Sequence, residues 1–246
     1  MAMRTRFRAA CLALALSMGA PAHAQRAGGT SPAVREPATF AGADLIYAEP
    51  RGEFRNYVRQ AFGASGHLIH SLDAKGVLAF RPEVGYLTYG QRTTRQALGG
   101  GALGLIDVDV TTSNNIVVGS LGAQLMAPAG SVRPYAVGAV GFSYFFTESS
   151  VSGTNNGSGN PFADTQNFGD GGFASSWGGG LYIPIRSRAL PLSIDLGVQM
   201  HKNADIQYLT KNSISFNGAN RPPTITPVRS AADYLSFRIG LSAAIR

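Results

Sequence analysis

The sequence predicts an all-β fold, an eight-stranded antiparallel up-and-down transmembrane β-barrel with short periplasmic turns and long extracellular loops. Three observations predict it. Segments of about ten residues alternate between apolar and polar or small residues, as membrane strands do. The connections between these segments alternate between short and long. The chain is also poor in charge, at 14% against a usual ~25%, and rich in glycine, with 31 in 246 residues.

The first 24 residues have the three parts of a secretory signal peptide. Three arginines precede an apolar run at 9–20, and the A-x-A cleavage pattern follows at 22–24. We therefore expect residues 1–24 to be removed on export. Residues 25–38, rich in Gly, Ser, Pro and Ala, are expected to form a flexible lead-in.

Removal of the leader changes the charge and the cysteine content of the chain. The 21 lysines and arginines fall to 18 against 14 acidic residues, so the net charge is +4 rather than +7. This modest surplus gives no support for nucleic-acid binding. The only cysteine, Cys11, lies in the leader, which excludes a disulfide framework or a cysteine metal site. We expect no cofactor and no metal.

Eight alternating segments follow and form the predicted barrel domain, residues 39–246. They are predicted at 39–48, 62–71, 76–90, 115–126, 133–147, 172–185, 192–201 and 234–245. In the clearest, 192–201, every second residue is aliphatic, an arrangement that a helix cannot place on one side. No later stretch has the 18 consecutive apolar residues that a spanning helix requires, and a closed barrel is the other structure that pairs every backbone polar group in lipid.

The connections alternate in length along the chain. The short ones are predicted at 72–75, 128–132 and 187–189, and the long ones at 49–61, 91–114, 148–171 and 202–233. An even number of strands then places both ends of the barrel on the short-turn side. We expect the long connections to be solvated extracellular loops.

The alternation assigns aromatic residues near strand ends to interfacial girdles on the lipid face. These residues are Tyr86, Phe142, Tyr144, Phe146, Trp177 and Phe237. The alternative for them is the core of an ordinary soluble barrel. Glycines occupy many of the positions that the alternation turns inward, where they leave room in a narrow lumen.

The same alternation points four charged side chains into the lumen, namely Arg81, Glu83, Asp195 and Arg238. Buried charges must be paired, so we expect an Arg/carboxylate network that fills the lumen. A barrel of eight strands has an interior just wide enough for side chains, which favours a structural plug. A narrow or gated ion path through these charges, with a pH-dependent role for His201, is the alternative.

Several loose motifs resemble those of one family. They are E-P-R-G-E-F at 49–54, R-P-Y at 133–135, G-G-G-L-Y at 178–182 and the alternating carboxy-terminal strand. Together with the leader they resemble the small eight-stranded outer-membrane barrels, OmpA-like or OmpX-like, of the outer membrane beta-barrel domain family. The resemblance implies export to the bacterial outer membrane, insertion by the outer-membrane assembly machinery, and contact with membrane lipids and lipopolysaccharide. The chain ends on Arg246 instead of the family's usual aromatic residue, which leaves open how its insertion signal is recognised.

Catalysis and metal binding have little support in the sequence. The segment 200–205 superficially resembles the H-x-S-N motif of lipid A deacylases, but Asn203 stands where the nucleophilic serine should be. His67 and His70 are three apart on one strand and therefore do not share a face.

We therefore predict a non-enzymatic, monomeric outer-membrane protein with a structural or surface-interaction role and no nucleic-acid partner. Two alternatives remain open, a narrow porin or channel for ions or small solutes and a secreted, soluble, lipocalin-like ligand-binding barrel.

Overall fold

The computed structural model describes residues 39–97, 107–153, 163–185, 191–210, 213–215 and 224–245. The predicted leader and lead-in lie outside the described residues. Within the described part of the chain, no helix has the length and apolar character needed to cross a membrane.

Eight strands form a closed antiparallel barrel, which confirms the predicted up-and-down fold. They are β1 (Thr39–Pro50), β2 (Ala61–Ser71), β3 (Leu78–Ala97), β4 (Asp107–Met126), β5 (Arg133–Gly153), β6 (Ala163–Ile185), β7 (Leu192–Asn203) and β12 (Tyr234–Ile245). Each pairs with its neighbours in sequence, and β12 pairs with β1 to close the ring. A short 3-10 helix at Gly52–Asn56 follows β1.

The connection from β7 to β12 contains four short strands. They are β8 (Asp205–Tyr208), β9 (Ile214–Ser215), β10 (Thr224–Ile225) and β11 (Val228–Ala231). β8 pairs with β11 and β9 with β10, both antiparallel. Asp233 joins the two ends of this connection. Its carboxylate pairs with Lys202 and accepts a hydrogen bond from the backbone N–H of Asn203 at 3.1 Å. The predicted solvated loop at 202–233 is thus partly ordered into small sheets.

The register gives the barrel its stagger. Paired residues followed strand by strand lead from Thr39 back to Glu49, ten residues further along β1. The path is Thr39, His70, Phe80, Ala123, Gly138, Trp177, Met200, Leu235 and Glu49. A stagger of this kind requires strands that tilt strongly against the barrel axis. The tilt brings residues that are distant in sequence to the same level inside the lumen.

Two of the predicted long loops are mostly strand, which corrects the prediction. β3 extends to Ala97, β4 begins at Asp107, β5 extends to Gly153 and β6 begins at Ala163. These four strands therefore have 20 to 23 residues each. The other four, β1, β2, β7 and β12, have 11 or 12. Hydroxyl pairs bridge the extensions, such as Thr93 with Thr111 and Thr112 with Ser149, both at 2.9 Å. Threonine favours strands, and such cross-strand pairs stabilise them. One side of the barrel is therefore much taller than the other.

The short turn between β2 and β3 is held by Asp73. Its carboxylate accepts the backbone N–H of Leu78 at 2.7 Å and that of Lys75 at 3.1 Å. These hydrogen bonds, with that from Leu78 the largest, hold the pKa of Asp73 below its usual range. Gly76 completes the turn with a φ of 63°, a conformation that glycine adopts without strain.

Two apolar clusters fill the barrel, one near each end. The upper cluster, at the long-connection end, is Ile46, Ala48, Phe54, Val58, Ala61, Leu87, Tyr89, Ile116, Phe145, Ile206, Tyr208, Ala232 and Tyr234. The lower cluster, at the short-turn end, is Phe40, Ile69, Ala79, Met126, Tyr135, Val137, Tyr182 and Ala244. In the upper cluster the ring of Phe54 packs at 5.1 to 6.0 Å from those of Tyr208, Tyr89 and Phe145. A layer of charged side chains lies between the two clusters.

Candidate functional site

The candidate site is the charged layer inside the barrel. Five charged side chains at inward positions of their strands meet in this layer, and all are buried or nearly so. They are Asp44 on β1, Arg81 and Glu83 on β3, Asp195 on β7 and Arg238 on β12. The structure brings together all four residues that the alternation placed in the lumen and adds Asp44.

Arg81 is the centre of this layer and is only 1% exposed. Its guanidinium donates to Gln124 Oε1 at 2.8 Å and to Asp195 Oδ2 at 3.2 Å. It also lies over the ring of Tyr135, 5.6 Å from the centroid, and the hydroxyl of that tyrosine donates to Asp195 Oδ1 at 2.6 Å. Asp195 is therefore held from two sides by groups on β3 and β5.

Arg238 makes the second strong ion pair. Its Nη1 donates to Glu83 Oε2 at 2.6 Å and lies 4.0 Å from Asp44 Oδ2. Glu83 is also 3.6 Å from Arg81 Nε. The two guanidiniums thus share the carboxylates among them, and the layer forms one network across the lumen.

Asp44 and His67 belong to this network, and sequence reasoning missed both. His67 Nδ1 is 2.9 Å from Asp44 Oδ2, and its Nε2 is 3.1 Å from Ser242 Oγ and 3.9 Å from Asp195 Oδ2. Ser65 donates to Asp44 at 3.2 Å. Both residues are polar and lie at inward positions of the two predicted strands with the weakest alternation, 39–48 and 62–71. That position was the signal that could have placed them in the lumen.

Asp44, His67 and Ser242 follow the hydrogen-bond order of a hydrolase triad, and all three side chains are buried. Ser242 is buried. A Cβ added at Gly42 would overlap both His67 Nε2 and Ser242 Oγ. This crowding around His67 and Ser242 opposes the approach of a substrate carbonyl group.

Asp44, His67 and Asp195 also bring three potential metal-ligand atoms within 4.8 Å of one another. Arg81 Nη2 already lies 3.2 Å from Asp195 Oδ2 and 3.8 Å from Asp44 Oδ2. A divalent cation between these carboxylates would meet that positive charge at close range. The geometry therefore favours arginine as their counter-ion.

The six aromatic residues assigned to the girdles lie on outward positions of their strands. Tyr86, Phe142, Tyr144, Trp177 and Phe237 are exposed on the outer wall, and Phe146 is partly covered. Some of these rings are in contact. The ring centroid of Phe146 lies 6.4 Å from that of Tyr86 and 5.7 Å from that of Tyr144.

Sequence reasoning did not assign several other outward aromatic residues to the girdles, among them Tyr47, Phe62, Phe80 and Phe173. Tyr47 packs against Phe62 at 5.3 Å and Phe237 at 6.1 Å, across strands β1, β2 and β12. Phe62 and Phe173 are exposed on the outer wall.

No protein-family model and no curated protein sequence matches the chain. Among solved structures it is similar to Neisserial surface protein A, at 10% identity and a TM-score of 0.41 over 85% of this chain and 97% of that one. It is similar to the attachment invasion locus protein Ail of Yersinia pestis, at 8% identity and a TM-score of 0.39 over 85% of this chain and 98% of that one. It is also similar to a major outer membrane protein from Thermus thermophilus, at 15% identity and a TM-score of 0.38 over 83% of this chain and 98% of that one.

Proposed function

We propose that this chain is an integral outer-membrane β-barrel protein without enzymatic activity, with a structural plug in its lumen and a surface-interaction role at its tall side. The distribution of polarity carries the proposal. Large apolar side chains point outward and charged ones point inward, which suits a lipid surround. The secretory leader predicted from the sequence agrees with export to that membrane. The assembly machinery, membrane lipids and lipopolysaccharide are the partners that follow, and we propose a monomer.

The outer wall argues against the soluble, lipocalin-like alternative. Leu45 is 67% exposed, and Val84, Leu121, Ile239 and Leu241 are also well exposed on the outside. A soluble monomer rarely exposes a continuous apolar surface of this extent. A ligand-carrying barrel also needs an open apolar interior, whereas this lumen holds a charged network between two packed clusters.

The first test is insertion into lipid. The refolded full chain should migrate differently on a gel before and after boiling, and it should cosediment with lipid vesicles after a high-salt or carbonate wash. The emission of Trp177, the only tryptophan, should shift to shorter wavelength with vesicles, because that side chain lies 51% exposed on the outer wall. A folded chain that stays soluble without detergent and shows no Trp177 shift would contradict membrane insertion.

A second candidate function is a narrow channel, and one observation favours it. Arg81 Nε and both Nε and Nη2 of Arg238 are buried without a hydrogen-bond partner among the described residues. Buried donors of this kind are commonly satisfied by water. Water beside these charges would offer ions a polar path at mid-lumen. The upper and lower apolar clusters oppose conduction, because an ion would have to cross both of them.

Planar-bilayer recording separates the plug from the channel. We expect the wild-type chain to give no stable unitary conductance, because the clusters close the lumen above and below the charged layer. Stable openings that disappear in Arg238→Ala or Asp195→Ala would contradict the structural plug. The exposed variant Arg95→Ala is the matched control, since its partner Asp109 lies on the tall extension rather than in the lumen.

The tall side supports the surface-interaction part of the proposal. The extensions of β3 to β6 continue the barrel wall as a sheet, and hydroxyl, amide and charged groups make up most of the side chains described on it. Gln91, Arg92, Thr93 and Arg95 are exposed there. A pre-formed polar sheet of this kind can meet a partner without the entropic cost of ordering a loop.

A further inference from the structure

We infer that the notch in the barrel wall above β2 binds the phosphorylated sugar headgroup of a membrane lipid, with Arg59 holding the phosphate. The inference deepens the proposed membrane role and depends on it for the height of the lipid headgroups. Three observations carry it, namely a step in the barrel wall, a cleft lined by hydrogen-bonding groups, and an arginine without an acidic partner.

The notch is the step between the short and the tall parts of the wall. β2 begins at Ala61, whereas the neighbouring β3 runs on to Ala97. The pairing of the two strands reaches only to Thr88, and a register shift follows between Thr88 and Gly90. Within the described part of the chain, no strand other than β4 pairs with β3 above this point, so one side of β3 is open. A bulge of this kind re-aims the side chains next to it.

A cleft of about 780 Å³ lies in this notch, a volume typical of small-molecule sites. Its polar lining includes the side chains of Arg59, Gln60, Gln91, Asn114 and Thr210. Of the described residues that line it, none is a carboxylate. Amide and hydroxyl groups both donate and accept hydrogen bonds, as the hydroxyl groups of a sugar do. The lining therefore suits a ligand that carries hydroxyl groups and a negative charge.

Arg59 supplies the positive charge of the cleft. Its side chain is exposed and has no acidic partner among the residues that the structure describes. The backbone beside it is held in place, because Val58 is buried and donates its N–H to the carbonyl of Phe54, which lies in the upper cluster. A guanidinium can bind a phosphate through two parallel hydrogen bonds. Arg59 is thus presented to a ligand without the entropic cost of ordering a loop.

The height of the cleft points to a lipid as the source of the phosphate. Phe62 lines the cleft and is 54% exposed on the outer wall. Its ring lies 5.3 Å from that of Tyr47, which lies 6.1 Å from that of Phe237. Outward aromatic residues mark the membrane–water interface in barrels of this kind. The cleft therefore opens at the level of the headgroups, and a lipid bound there can lay its chains against the outer wall below Phe62.

Lipid A, a glucosamine disaccharide with two phosphates and several acyl chains, is the probe for this cleft. The full chain is folded in micelles of an amine-oxide detergent, which carries neither phosphate nor sugar, and is titrated calorimetrically with lipid A and with dephosphorylated lipid A. The wild type should bind lipid A at least about tenfold more tightly, because hydrogen bonds between charged groups change affinity by that much. Phosphorus NMR should show a shifted phosphate signal on binding. Equal affinities for the two lipids would overturn the inference.

Two arginine variants decide whether the phosphate lies at Arg59. Arg59→Gln should weaken the binding of lipid A by about tenfold and leave that of dephosphorylated lipid A unchanged. Arg55→Gln is the matched control, because Arg55 is exposed on the same connection and does not line the cleft. This control should bind lipid A as the wild type does. An equal loss in both variants would show attraction by general charge and overturn the site.

The variant Gln91→Ala tests the sugar part of the headgroup. It should weaken the binding of both lipids, because the amide of Gln91 faces the cleft and the hydroxyl groups of the sugar are present in each lipid. An unchanged affinity for dephosphorylated lipid A would overturn the assignment of a sugar.

Soluble glucosamine 1-phosphate separates a lipid from a free sugar phosphate. It should bind more weakly than lipid A, since it has no chains to pack against the outer wall. Equal affinity would overturn the assignment of a lipid. The binding is measured in micelles, so a chain that inserts into vesicles but does not distinguish the two forms of lipid A overturns this inference and leaves the proposed membrane role intact. The comparison of the two lipids and the phosphorus NMR need only the wild type if a variant fails to fold.

Discussion

Replacing Arg81 with leucine should destabilise the barrel by about 3–5 kcal/mol, the usual cost of removing one partner from a buried ion pair. The change leaves Asp195 Oδ2 and Gln124 Oε1 without the donors that bind them at 3.2 and 2.8 Å. It also adds a negative charge to a layer with little access to water. Unfolding of the vesicle-bound chain in guanidinium, followed by Trp177 emission, measures the loss.

Two further variants separate charge balance from packing. In Arg81→Leu/Asp195→Asn one carboxylate is neutral, so this double variant should recover part of the lost stability. Arg95→Leu removes a surface arginine whose 3.3 Å pair with Asp109 is solvated, and it should cost less than about 1 kcal/mol. If Arg81→Leu unfolds at the same denaturant concentration as Arg95→Leu, the charged layer does not stabilise the barrel.

Gly141→Ala should prevent most of the chain from reaching the heat-modifiable form, with a loss of at least about 3 kcal/mol, at the upper end of overpacking costs. An added Cβ would overlap the carbonyl oxygen of Gly119 and lie 2.7 Å from Ser120 Cα. Both obstacles are backbone atoms of β4, so no side-chain rotation relieves them. The yield of folded band on an unboiled gel measures the effect.

Gly119→Ala is the matched control for this substitution. Gly119 lies on the strand paired with β5, and an added Cβ there would meet nothing within 4 Å. Alanine at such a site should leave folding unchanged or improve it slightly, because it restricts the unfolded chain. Equal yields for the two alanine variants would show that close backbone approach at Gly141 does not limit folding.

The barrel itself could be predicted from the sequence because the outer face of its wall is apolar and the inner face carries polar and charged side chains. Leu192, Ile194 and Leu196 repeat every second residue along β7, and Asp195 lies between them on the inward face. The same logic placed Arg81, Glu83 and Arg238 inside without knowledge of register. The period of two is sufficient to separate inward from outward residues.

The extensions of β3 to β6 could not be found in this way. In 91–114 and 148–171 most residues are Thr, Ser, Asn, Gln, Gly or charged, and the short alternation of Ile106, Val108 and Val110 is followed by the polar run at 111–115. Where both faces meet water, alternation carries no signal, and strand pairing depends instead on cross-strand contacts such as that of Thr93 with Thr111. The sequence pattern therefore indicated loops.

The contacts among Asp44, His67 and Ser242 were missed for a different reason. His67 and Ser242 are 175 residues apart and meet because β12 closes on β1, which in turn pairs with β2. Alternation alone gives a residue its face but not its level in the lumen. The stagger of the whole barrel decides which inward residues are neighbours, and it becomes visible only with the complete register.

The unequal heights of the strands also have a mechanical consequence. The tall hairpins carry the same hydrogen-bonded ladders that run down into the barrel wall, from Ala97 paired with Asp107 to Leu78 paired with Leu125. A load applied to the described ends of these hairpins would pass into the wall as shear along the strands, and the register shifts at Thr88/Gly90 and Thr147/Glu148 mark where the strands can bend. In the membrane-embedded barrel that we propose, the wall around the charged layer would therefore carry a load applied to the tall side.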